Sequence, residues 1–111
     1  METKNINKDL LFNSNINWDE LSKVDALSEN FIREFKDKVN WDNISFYQTL
    51  SEDFIREFQN RVDWDFISWN QELSEDFIRE NKDKVNWYYI YKNQKLSDEF
   101  REEFADRLNN K

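Results

Sequence analysis

Residues 50–72 read LSEDFIREFQNRVDWDFISWNQE, and the stretches on either side are near-copies of it. Residues 27–49 read LSENFIREFKDKVNWDNISFYQT and residues 73–95 read LSEDFIRENKDKVNWYYIYKNQK, with Leu27, Leu50, Leu73 and Leu96 opening the copies at 23-residue intervals. The copy at Leu96, LSDEFREEFADRLNN, carries only the first half of the unit. Upstream, FNSNINWDELS matches the middle of the unit, with Phe12, Ile16, Asn17, Trp18 and Leu21 in register. The organisation is a degenerate copy (4–26), three full copies (27–49, 50–72, 73–95) and a half copy (96–111), read as one helical-repeat domain over 1–111. Self-similarity at a fixed period of this length marks units that bury their apolar faces by stacking on their neighbours.

Each unit reads as two short helices. Ser51 is an N-cap, because its hydroxyl can accept from an orphan N–H of the first turn. Glu52 and Asp53 then place negative charge at the positive end of the helix dipole. Leu50 before the cap and Ile55 after it form a hydrophobic staple. Phe54, Ile55, Phe58 and Val62 share one helical face. The second helix repeats the grammar. Asp63 caps it, as Asn17, Asn40 and Asn86 do in the other copies, and Val62 and Ile67 make a second staple. Trp64, Ile67 and Gln71 share a face, with small Ser68 beside them to allow close approach. The tryptophan of each copy is expected in the core. A strand for the β-prone stretch Trp87–Tyr91 is the competing reading. Helices this short do not hold alone in water, so the predicted fold is all-α: a short solenoid of two-helix 23-residue repeats, capped by the degenerate first and half last copies.

The unit resembles tandem short repeats of the FIREF…WDxIS type, associated with large DNA viruses, phages and low-GC bacteria. FIREF at 31–35 and 54–58, FIREN at 77–81, WDNIS at 41–45 and WDFIS at 64–68 carry the resemblance over residues 27–108. It implies a helical repeat fold and a viral setting, and no activity.

Composition narrows the chemistry. The 111 residues contain no Cys, His or Gly. That excludes disulfides, Cys/His zinc sites and nucleophiles activated by histidine. It also excludes Gly-rich phosphate loops. No apolar stretch reaches the ~20 residues that span a bilayer, and no signal-peptide core follows Met1. The expectation is a soluble, cytoplasmic, non-enzymatic protein (in the host cytoplasm if viral) with no cofactor and no metal. The D-x-D pair Asp63/Asp65 is read as a cap and a dipole partner.

A net charge of -8 disfavours nucleic acid and anionic membranes as partners. Glu29–Arg33, Glu52–Arg56 and Glu75–Arg79, with Glu34–Lys38, Glu57–Arg61, Glu80–Lys84 and Glu103–Arg107, are expected i,i+4 pairs within helices. The acid excess collects at the last copy, in Asp98, Glu99, Glu102, Glu103 and Asp106. These are the candidate residues for an acidic surface that mimics the phosphate track of nucleic acid.

The copies also differ in informative ways. The second-helix face opposite the Trp/Ile stripe carries Phe46, Tyr47, Phe66, Trp69 and Tyr89, and Tyr88 and Tyr91 extend it sideways. Trp69, Tyr47 and Tyr89 are expected to face solvent; Phe46 and Phe66 fit either side. Exposed aromatic patches mark interaction sites. Asn81 stands where the other copies have Phe35, Phe58 and Phe104, and Lys92 and Lys95 make the third second helix locally basic. The expected function is binding of another protein through the aromatic face, in its specific form inhibition of a host protein by a viral one. The alternatives are a nucleic-acid mimic acting on a nuclease or CRISPR effector, and a structural repeat that self-associates through its solenoid ends.

Overall fold

A computed structural model describes residues 15–24 and 26–109. The first half of the degenerate copy, with Phe12, lies outside the described residues. The described residues are all helix, turn and coil with no strand, so the stretch at Trp87 is helical. In chain order the helices are α1 (Trp18–Leu21), α2 (Glu29–Glu34), α3 (Trp41–Tyr47), α4 (Glu52–Glu57), α5 (Trp64–Asn70), α6 (Glu75–Glu80), α7 (Trp87–Asn93), α8 (Asp98–Glu103) and α9 (Ala105–Asn109). The chain divides into two compact units, residues 1–62 and 63–111.

The starts follow from local chemistry. Ser28, Ser51, Ser74 and Ser97 each accept, through the hydroxyl oxygen, the N–H three residues on, from Phe31, Phe54, Phe77 and Phe100. Asn17, Asn40, Asp63 and Asn86 do the same for α1, α3, α5 and α7. The first helices end without glycine. Phe35, Phe58, Asn81 and Phe104 take φ near -110° and ψ near 30°, a sparsely populated bridge geometry that is the same in all four copies.

In unit 1 (1–62), the core holds Phe31, Ile32, Phe35, Ile44, Phe54, Ile55 and Phe58. The second helix of one copy packs on the first helix of the next. The Trp18 ring lies 5.4 Å from Phe35, and Trp41 lies 6.1 Å from Phe54 and 5.0 Å from Phe58. The amide of Gln48 ties its own copy to the preceding one: its Oε1 accepts from the N–H of Leu27, and its Nε2 donates to the carbonyls of Ser22 and Val24. Glu29 accepts from the backbone N–H and hydroxyl of Ser51, the next copy's cap.

Unit 2 (63–111) repeats the set. Its core holds Ile67, Phe77, Ile78, Ile90, Phe100 and Phe104. Trp64 lies 6.2 Å from Phe77, and Trp87 lies 6.2 Å from Phe100 and 5.0 Å from Phe104. Gln94 Oε1 accepts from Leu73 N–H, and its Nε2 donates to the carbonyls of Ser68 and Gln71. Glu75 holds the backbone N–H and hydroxyl of Ser97. Within each unit successive copies thus stack through one recurring contact set, which is the all-α helical-repeat, solenoid class of fold.

Two expectations need correction. The tryptophans are half-buried, not core. Each lays one face on the next copy's phenylalanines, and Trp41 and Trp87 give their indole N–H to the carbonyls of Lys36 and Lys82. A polar N–H at the ring edge keeps that edge near the surface. Asn81 is buried at 6% exposure and donates to the Phe77 carbonyl of its own helix. Second, several acids expected to pair within their helix serve the neighbouring copy. Arg33 chelates Glu57 and Arg79 chelates Glu103 at 2.8–3.1 Å. Arg61 and Arg107 reach Asp37 and Asp83, and the carbonyls of Lys36 and Lys82. A bidentate fork between neighbouring helices is better geometry than a single contact along one helix.

Candidate partner-binding surface

The outer face of the second helices lies away from the side chains they bury. Ile90 of α7 is fully buried, and Tyr88 and Tyr91 turn out. Tyr88 is 46% exposed and Tyr91 44%. In α5, Ile67 and Ser68 are fully buried and Trp69 is 43% exposed.

In unit 2 these side chains form a connected row. Phe66, half-buried, sits 6.4 Å from Trp69. Trp69 stacks on Tyr89 with ring centres 5.2 Å apart and planes 16° from parallel. Tyr88 meets Tyr89 edge-on at 5.5 Å, and the Lys92 ammonium lies 5.5 Å over the Tyr88 ring. Tyr89 was expected to be exposed. It is half-buried, because the indole of Trp69 from the preceding copy covers one face of its ring. Tyr91 stands outside this row and takes the Arg101 guanidinium 5.5 Å over its ring. In unit 1, Tyr47 is 46% exposed and packs edge-on to half-buried Phe46 at 4.7 Å. The two cation–π contacts escaped sequence reasoning. The signal was present in the copies: Tyr91 stands where they carry Ser22, Ser45 and Ser68.

Beside Trp69 an open cleft of about 480 Å³ separates the C-terminal ends of α5 and α7. Trp69, Asn70, Glu72, Asn93 and Lys95 form its rim, and Gln71 and Gln94 its floor. Gln94 is fully engaged in the clamp described above, so the floor offers shape more than free polar groups.

Of the acidic candidates, Asp98, Glu99, Glu102 and Asp106 are exposed on α8 and α9. Glu103 is not free: the hydrogen bond from Arg79 holds its carboxyl below the ordinary value. Glu57 is held down in the same way by Arg33, and Asp37 by Arg61. Such pairing interrupts a row of negative charge. Asp63 caps the Phe66 N–H and Asp65 accepts from the Asn86 side-chain amide, so the D-x-D pair is occupied by the fold. Among the described residues no group of three acidic, His or Cys side chains is placed to hold a metal ion. No described helix is long and apolar enough to cross a membrane. Comparison with protein-family models, with curated proteins and with solved structures finds no match to this chain.

Proposed function

We propose that the protein is a non-enzymatic protein-binding module whose contact surface centres on the Trp69–Tyr89–Tyr88 row of the second helices. One observation carries the reading. Trp69 is 43% exposed at a position occupied by Phe46 and Lys92 in the other copies. A site that accepts lysine does not need a ring for folding. A large ring held rigid by stacking on Tyr89 loses little entropy on binding and suits an interface anchor. The inventory supports a non-enzymatic role, since the carboxylates of Glu29, Glu57, Asp63, Glu75 and Glu103 serve caps and ion pairs. Inhibition of a host protein is the specific form proposed, following the resemblance of the repeat.

The test compares two variants by melting and by partner capture from lysate of the natural source. Trp69→Asp should leave helicity unchanged and lower stability only by the ~0.5–1.5 kcal/mol of its stack on Tyr89, yet weaken capture about 30-fold, the equivalent of ~2 kcal/mol at an anchor. Trp64→Ala, which strips a ring stacked on Phe77, should lower stability by the low end of the ~3–5 kcal/mol seen for buried rings. Unfolding by Trp69→Asp as severe as that of Trp64→Ala would make the aromatic row internal packing. Duplex DNA added as competitor separates the mimic reading: displacement of the partner would favour it, and none is expected.

A further inference from the structure

Within each unit a copy presents the next with a fixed set of receptors. In unit 1 the Ser22 hydroxyl accepts the backbone N–H of Asn40 at 2.9 Å, and the Asp19 carboxylate accepts from the Asn40 side-chain amide at 2.8 Å. In unit 2 Ser68 and Asp65 do the same for Asn86, both at 2.9 Å. The same serines donate to carbonyls of their own helices, at Trp18 and Trp64. Ser22, Ser45 and Ser68 are fully buried, as are Ile32, Ile55 and Ile78 on the first helices. Beside the isoleucines, Arg33 and Arg79 offer their guanidinium to a glutamate of the next copy.

At the last such edge every one of these receptors has changed. Tyr88 replaces the aspartate, Tyr91 the serine, Arg101 the isoleucine and Glu102 the arginine. The backbone changes with them. Where the chain runs as turns from Phe35 to the cap Asn40, and from Asn81 to Asn86, residues Ala105–Asn109 form the helix α9. Asn110 also stands where the next second helix would need its tryptophan.

We infer that the edge formed by α7 and α8 is closed to a further copy of the repeat. A serine γ-oxygen within 2.9 Å of incoming backbone, and with no exposed surface, leaves no volume for a phenol ring. Overfilling a packed contact forces backbone shifts. Tyr91 also has no hydroxyl at the γ position to accept the incoming N–H. Instead the Tyr91 ring and Arg101 guanidinium close on each other at 5.5 Å, covering the strip where isoleucine and serine would receive the next helix. Glu102 would turn a carboxylate toward the place where a copy's glutamate arrives. The array terminates itself through side-chain choice, whether a further copy comes from the same chain or from a second molecule. This bears on the self-association reading and is independent of the binding role of Trp69.

The test places the ten residues 63–72, DWDFISWNQE, directly after Leu108 in two full-length hosts: the parent chain and a host with Tyr88→Asp, Tyr91→Ser and Arg101→Ile. Each extended chain is compared with its own unextended form by far-UV circular dichroism and thermal melting. On the parent edge the added segment should add no helix and shift Tm by less than about 1 °C. On the restored edge it should add one helix like the seven-residue α5 and raise Tm by about 4 °C or more, the shift expected of ~1 kcal/mol in a domain this size. Equal gains in both hosts would show that the rings do not bar a further copy. No gain in either would show that these residues are not what closes the edge. If the triple variant does not fold, Tyr91→Ser alone serves as the restored host with the same two outcomes.

Discussion

Replacing Gln94 by leucine removes a polar clamp while keeping the volume. The Gln94 side chain is 8% exposed, and its amide serves Leu73 N–H at 3.1 Å, the Ser68 carbonyl at 3.0 Å and the Gln71 carbonyl at 2.7 Å. Leucine leaves the Leu73 N–H without that acceptor at a residue that is only 7% exposed. An orphaned buried amide costs about 1–3 kcal/mol, and each carbonyl loses a bond worth about 0.5–1.5 kcal/mol. Extra apolar burial returns roughly 1 kcal/mol. The net loss is about 1–5 kcal/mol with a midpoint near 3 kcal/mol, a large part of the ~5–15 kcal/mol that holds a small domain together. That midpoint corresponds to a fall in Tm of roughly 10–25 °C. Urea and thermal unfolding measure the loss, and hydrogen exchange at the Leu73 amide locates it. Gln94→Glu should be at least as damaging, because a carboxylate would then face the two carbonyls. A loss below about 1 kcal/mol with the Leu73 amide still protected would refute the claim that this clamp joins the copies.

Asn81→Phe should raise stability by about 1 kcal/mol, because the position has the same backbone geometry as Phe35, Phe58 and Phe104 and a ring there would meet Trp64 as Phe58 meets Trp41 and Phe104 meets Trp87; an unchanged or lower melting temperature would show that the site lacks room. Glu103→Gln should be less stable than the parent at neutral pH. Because Arg79 holds the folded-state carboxyl below its ordinary value of 4.5, the advantage of the parent is complete above that value and is lost as the pH falls through the depressed one. Melts from pH 7 down to pH 2 should therefore converge, and high salt should shrink the difference at pH 7. A gap that persists unchanged at pH 2 would mean that the pairing is not its source.

The repeat, the caps and the helical class could all be read from the chain. Each rests on residues one to four positions apart: Ser51 reaching the Phe54 N–H, Asp63 reaching Phe66, and apolar residues falling on one turn-and-a-half of helix. The candidate surface was legible in part, because Trp69 differs from Lys92 and Phe46 at one register position. What joins copy to copy was not. Glu29 meets Ser51, Arg79 meets Glu103, and Gln94 meets Ser68, all 22 to 26 residues apart. A 23-residue period states that the copies are equivalent, but how two helices are rotated and set against each other decides which atoms meet. For the same reason local spacing assigned the arginines to acids on their own helices, where tertiary packing offered better forks across the stack. Burial of the rings was likewise settled by neighbours. Trp41 rests one face on Phe54 and Phe58 of the following copy, and Tyr89 is half-covered because Trp69 of the preceding copy lies on it. Helical periodicity places a side chain on a face. Only the packed structure determines whether that face meets another helix or water.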